Sequence, residues 1–300
     1  IDSNPEDVSP DIDPCRGGPS SFHGTHVAGT IGATGNNNEG IAGVSYSSTL
    51  MHLRVLDICG SGSSYDIAQG VYYAAGQTND SGTVPNNPAS VLNLSLGGGG
   101  PDPYMEAAIN QVTDAGAIVV AATGNDGARS VSYPAAFDSA IAVGSVGPDA
   151  SVTNYSNQGP SIDLVAPGGS ASTAEAGVIS LTKIDGDYAY AAYIGTSMAT
   201  PHVAGVVALM KTINPDLTTE RLLLYIRAGL ITDDLSTEGF DVASGWGLIN
   251  AKKAVDVAYE DANGTLKIPA KLSVSSTSLY FRPDTTSLAI AVSNSGGGSL

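Results

Sequence analysis

The sequence predicts an α/β fold, a parallel sheet with helices on both faces. Two observations carry this. From about residue 48 onward, short apolar runs of strand length alternate with segments of helical period, the pattern of a sheet wrapped by helices. The runs are rich in Val, Ile and Leu and end on Gly, Pro or Asp, as strands covered on both faces do. A third observation sets the scale: 300 residues suffice for one large domain, or a medium domain with an appendage.

Taken in order, the expected strands are 50–56, 91–96, 117–122, 140–146 and 162–166. The expected helices are 65–75, 104–115, 198–212, 218–228 and 250–258, each with apolar residues three or four apart. Pro201 falls early in its helix, where a missing N–H is expected to do little harm. Composition changes after Tyr259. Residues 260–271 show no usable period and read as a linker. Beyond them Leu272 with Val274, then Leu288, Ile290 and Val292, alternate with Ser and Ala at period two. Two short strands cannot bury a core alone, so 272–300 reads as the opening of a β-sandwich domain; a hairpin packed on the main domain is the alternative. The domain plan is therefore 1–259, a linker at 260–271, and 272–300.

Composition excludes several functions. Twelve Lys and Arg against 29 Asp and Glu give a formal charge of -17, which argues against nucleic acid or an anionic membrane as the main partner. Charged residues are 14% of the chain while glycine fills 37 positions, so the surface must be polar through Ser, Thr, Asn and backbone, a secreted style of composition. No stretch approaches the roughly 20 apolar residues that cross a bilayer. The chain opens on Ile1 without a basic and apolar leader, so it is expected to begin inside a larger translated product. Cys15 and Cys59 have no metal spacing, and two free buried thiols are one reading of them.

Three segments carry chemistry. Gly195-Thr196-Ser197-Met198-Ala199-Thr200-Pro201-His202 precedes an apolar helix and delivers a serine to its N-terminus, where unpaired N–H groups and the positive end of the dipole suit a developing oxyanion. A lone serine there is also an ordinary cap. Ser21-Phe22-His23-Gly24-Thr25-His26-Val27-Ala28-Gly29-Thr30 surrounds a histidine with small residues, so its helix packs closely and exposes the first turn. Zinc is not expected, because HExxH and carboxylate partners at helical spacing are missing; His26 reads as structural. Thr123-Gly124-Asn125-Asp126-Gly127 follows an expected strand, at the kind of strand end where sites in α/β sheets gather.

Those three segments, which run along the chain with the histidine first, the asparagine next and the serine last, resemble the subtilase family of subtilisin-like serine peptidases over roughly residues 21–258. The resemblance implies a subtilisin-like sheet, Ser197 as nucleophile, His23 as general base, and the Asn125 amide beside the Ser197 N–H in an oxyanion hole. It excludes an α/β-hydrolase elbow, which reads GxSxG with its histidine after the serine; His202 is the only downstream candidate and reads as helix packing. It also implies a peptide-pairing strand end at Ser95, Leu96 and Gly97 that walls the first specificity pocket together with Ala122, Thr123 and Gly124. The pocket floor at 132–135 carries no acid, so a broad preference for uncharged residues is expected.

The family's aspartate is less visible. Asp2-Ser3 and Pro10-Asp11 echo its motif, but Asn4 stands where glycine is expected; either Asp2 serves, or residues 2–21 form an insert and the aspartate lies upstream of Ile1, the favoured reading. The insert in such relatives is bridged, which implies a disulfide between Cys15 and Cys59 and an oxidising compartment. Residues 35–40, an Asn-rich loop, resemble one that binds Ca²⁺ in some members, with a plain polar turn as the other reading. No cofactor is expected in the chemistry. The partners implied are protein or peptide substrates and the protein's own pro-segment, for a secreted extracellular monomer.

Overall fold

The computed structural model describes residues 20–57, 59–173, 176–236 and 239–268, with the backbone of short strands at 272–274 and 292–294. In chain order the elements are α1 (His23–Gly32), α2 (Ser64–Ala74), β1 (Val91–Leu94), α3 (Pro103–Asp114), β2 (Ile118–Ala122), β3 (Ala140–Val146), β4 (Leu164–Pro167), β5 (Val178–Ile184), β6 (Asp187–Tyr193), α4 (Thr196–Ile213), α5 (Thr219–Arg227), β7 (Thr232–Asp233), β8 (Leu248–Ile249), α6 (Ala251–Ala262), β9 (Leu272–Val274) and β10 (Val292–Asn294).

The central sheet runs β1-β2-β3-β4-β8-β7 and is parallel except for its last pair. Alternate residues of each strand enter opposite layers. Val119, Ala121, Ala140, Ala142 and Val165 pack with α2 and α3, whereas Ile118, Val120, Ile141, Val143, Leu164 and Ala166 pack with α4, α5 and α6. This is why β2 and β3 are apolar at nearly every position and buried throughout. Side-chain caps start most helices: Ser63, Asp102, Thr218 and Asn250 each accept a first-turn N–H. Pro103 opens α3, where it gives up no helix bond.

Three departures from expectation have physical reasons. Residues 50–56 do not form a strand: β1 ends the sheet, and no described residue offers 50–56 a ladder. They remain packed by Leu53, Val55 and Leu56 on the α2–α3 layer. The helix placed at 250–258 runs on to Ala262, so the expected linker at 260–271 begins inside α6, and Leu266 and Ile268 still pack against the core. The hairpin β5–β6 has no counterpart in the expected strands, because it buries Ser180 and Thr182 and exposes Ile179, Tyr188 and Tyr190. β9 and β10 pair antiparallel within the stretch assigned to a second domain; the rest of 272–300 lies outside the described residues.

Candidate active site

His23, Asn125 and Ser197 line one open cleft of 2010 Å³. The same space extends past residues 50–56 and α2 along the outer edge of β1. His23 is the first residue of α1, Asn125 follows the C-terminal end of β2, and Ser197 is the second residue of α4, which packs against α1.

The serine is delivered by a constrained entry. Gly195 N–H donates to Gly168 O at 3.0 Å, and Gly195 sits at φ 145°, a conformation that L side chains rarely adopt. The chain then turns directly into α4, leaving the Ser197 N–H among the first-turn donors without an intrahelical acceptor. Pro201 lies past the first turn, so its missing N–H is not harmless: it removes the helix bond due to Ser197 O. Ser95 supplies the replacement, its hydroxyl donating to Ser197 O at 2.8 Å while accepting from Asn93 Nδ2 at 2.9 Å. A carbonyl left unpaired there would cost about 1–3 kcal/mol. Ser95 thus ties the end of β1 to the Ser197 peptide unit, and the half-buried Ser197 hydroxyl donates back to Ser95 O at 3.3 Å.

Asn125 is held by its carbonyl. Its Oδ1 accepts from the Thr196 N–H at 2.8 Å and the Thr196 hydroxyl at 3.0 Å, which leaves the amide Nδ2 as the donor end. The loop carrying it is fixed by Asn157, which is buried. Asn157 Oδ1 accepts from the N–H groups of Asp126 and Ala128, both at 2.9 Å, and its Nδ2 donates to Ser132 Oγ at 3.1 Å. Gly124, at φ 105°, lets these groups close up, because a side chain there would collide with Asn157 and Ser132. Neither Asn157 nor the role of Ser95 toward Pro201 was legible in the motifs, since each acts through contacts between segments far apart in sequence.

Of the expected wall residues, Ser95, Leu96, Gly97, Ala122 and Gly124 line the cleft. Thr123 is fully buried and does not; its backbone joins β3 and the floor instead, through Thr123 N–H to Val143 O and Ser132 N–H to Thr123 O. Ser132, Tyr133 and Pro134 face the cleft, and Gly98 N–H donating to Tyr133 O at 3.0 Å closes wall against floor. His202 is half-buried with Nδ1 on Met198 O at 2.8 Å, and desolvation lowers its pKa, so it is spent on its own helix. The 35–40 loop is exposed and closes on itself through Glu39 N–H donating to Asn37 Oδ1. Among the described residues no three His, Cys, Asp or Glu gather as metal ligands. No described cysteine is free; Cys15 and Asp2 lie outside the described residues.

A parallel α/β sheet that brings a helix-borne serine, a histidine and an asparagine amide to one cleft defines a class of hydrolytic sites. The chain belongs to the subtilase family, whose sequence profile matches residues 4–247. An extracellular protease of Xanthomonas campestris pv. campestris is 42% identical over 245 residues, 80% of this chain and 40% of that protein. Subtilisin Savinase of Lederbergia lenta is 40% identical over 232 residues, 77% of each. A solved structure titled for proteases from Pseudoalteromonas arctica superposes with TM-score 0.74 at 38% identity, covering 85% of this chain and 77% of that one. The chain thus spans less than half of the Xanthomonas relative and about three quarters of Savinase.

Proposed function

We propose that this protein is a secreted serine endopeptidase. The observation that carries the reading is the shared cleft: His23, Ser197 and Asn125, from three distant segments, line one space. A peptide laid along Ser95–Gly97 presents its carbonyl to Ser197. His23 takes the hydroxyl proton as Oγ attacks and later gives it to the departing amine. The Asn125 amide and the Ser197 N–H meet the oxyanion as charge develops. These groups are all side chains and backbone, so the step calls on no cofactor. A structural Ca²⁺ at residues 35–40 belongs to the proposal: that loop offers Asn side-chain and backbone oxygens and one carboxylate, Glu39, all oxygen ligands of the kind Ca²⁺ takes. One relative is named an extracellular protease, and no described helix is long and apolar enough to cross a membrane. A pro-segment and a monomeric state belong to the same proposal. A serine-directed phosphonate is expected to modify Ser197 in the full-length protein; a folded protein that takes no label overturns the reading.

The carboxylate that orients the imidazole is proposed to lie upstream of Ile1, with Asp2 as the alternative. Support comes from the outer edge of β1, which has no described partner and opens on the cleft beside 50–56, where an added parallel strand would find a ladder. Asp2→Ala in the full-length protein is expected to keep turnover within a few-fold. A loss of about 10⁴ in kcat assigns the role to Asp2 instead.

A disulfide between Cys15 and Cys59 completes the proposal, resting on the absence of a free described cysteine and on a chain with only two. In the chain-entropy description, closing that loop stabilises by about 4 kcal/mol. Thiol titration of denatured protein from an oxidising host is expected to find none before reduction and two after it; two before reduction would remove the bridge.

A further inference from the structure

We propose that His26 is a positioning residue for the reacting pair, an imidazole clamp that fastens the hairpin leading into Ser197 onto the helix that starts with His23. The inference rests on the peptidase reading above. β6 ends at Tyr193, and only Ile194, Gly195 and Thr196 separate it from Ser197. His26 lies three residues into α1 from His23, and its side chain is fully buried beneath the hairpin.

The bonding is directional at every atom. Nε2 lies 3.1 Å from Val178 O, at the start of β5, and 3.1 Å from Ala191 O in β6. Both partners are carbonyls that only accept, so Nε2 carries the hydrogen and shares it between the two strands. Nδ1 is buried with no hydrogen-bond partner. The His26 carbonyl is held as well, accepting from Ser180 Oγ of β5 at 2.7 Å and from Thr30 Oγ1 at 3.2 Å. The ring stacks on Tyr193 at 4.2 Å and 7°, and the Tyr193 hydroxyl donates to Ser21 O at 2.7 Å. Ser21 immediately precedes Phe22, which stands at φ 48° in the left-handed region and sets the direction in which the chain enters α1 at His23.

A residue needed there only for packing would be apolar, because burying an imidazole with one nitrogen unpaired works against stability. What the imidazole adds is a donor that reaches two strands at once, on the piece of backbone that joins both reacting groups. Burial lowers its pKa from the ordinary histidine value, so the ring stays neutral and keeps this bonding pattern at neutral pH. The consequence for function follows from geometry. A displacement of about 1 Å between nucleophile and base is enough to cost roughly 10²-fold in rate without changing how substrate is held.

The test uses the full-length protein and three variants. His26→Phe keeps the stacking ring and removes the donor; Gln places an amide near the Nε2 position, and Asn places one near Nδ1. His26→Phe is expected to fold, to lose about 10–100-fold in kcat on a chromogenic peptide with KM within about twofold, and to be phosphonylated at Ser197 correspondingly slowly. His26→Gln is expected to recover at least tenfold of that loss, and His26→Asn none. Where Phe does not fold, the Gln-to-Asn ratio of kcat decides. Parental kcat and labelling rate in folded His26→Phe, or equal kcat in Gln and Asn variants, would overturn the clamp whatever their melting temperatures. A parent that takes no label fails the peptidase reading itself, an outcome visible before any variant is made.

Discussion

Ser197→Ala and His23→Ala are each expected to lower kcat by about 10⁶, with the double variant no worse than either alone, a scale set by the behaviour of a subtilisin. The physical reason is that the two groups perform one act. Oγ at neutral pH is a poor nucleophile until a base receives its proton, and the base has nothing to receive once Oγ is gone. KM is expected to stay within a few-fold, because the backbone edge at Ser95–Gly97 and the walls of the cleft still hold the peptide. Steady-state kinetics of the three variants check this. Additive losses would mean that serine and histidine act in separate steps.

Asn125→Ala is expected to cost about 10² to 10³ in kcat, roughly 3–4 kcal/mol of transition-state stabilisation, with KM little changed; this magnitude too belongs to a subtilisin. In the resting protein the side chain's Oδ1 is committed to Thr196, so its Nδ2 is already aimed before substrate arrives and needs no reorganisation. Removal also strips Thr196 of its acceptor at the entry to α4, so a fall in melting temperature is expected beside the fall in kcat. Asn125→Asp separates the two: the carboxylate still accepts from Thr196 but offers an acceptor where the oxyanion forms, so stability should return while kcat stays low. Recovery of kcat in the aspartate variant would place the oxyanion elsewhere.

Much of the sheet was readable because buried parallel strands leave an unambiguous mark. β2 and β3 are buried along their whole length and almost wholly apolar, and α2, α3 and α5 fall within two residues of their expected bounds at either end. The hairpin β5–β6 escaped for the opposite reason. Ser180 and Thr182 face inward, bonding His26 O and Tyr193, while Ile179, Tyr188 and Tyr190 on the other face are exposed, so its hydrophobic pattern reads inside out. Residues 50–56 read as a strand because their composition is that of one; composition carries no information about whether a ladder is present. At the proposed site, His23, Asn125 and Ser197 sit in local motifs, and all three line one cleft. The groups that aim them, Ser95 for the carbonyl orphaned by Pro201, Asn157 for the 123–128 loop and the His26 ring for the hairpin, exist only as contacts between distant segments.

The central claim is spatial, and a crystal structure of the full-length protein after phosphonate treatment tests it most directly. Phosphorus is expected on Ser197 Oγ, with the phosphonyl oxygen about 2.7–3.1 Å from both Asn125 Nδ2 and the Ser197 N–H, and the His23 imidazole within hydrogen-bond reach of Oγ. An adduct on another residue, or a Ser197 adduct whose oxygen faces away from Asn125, would contradict the proposed mechanism.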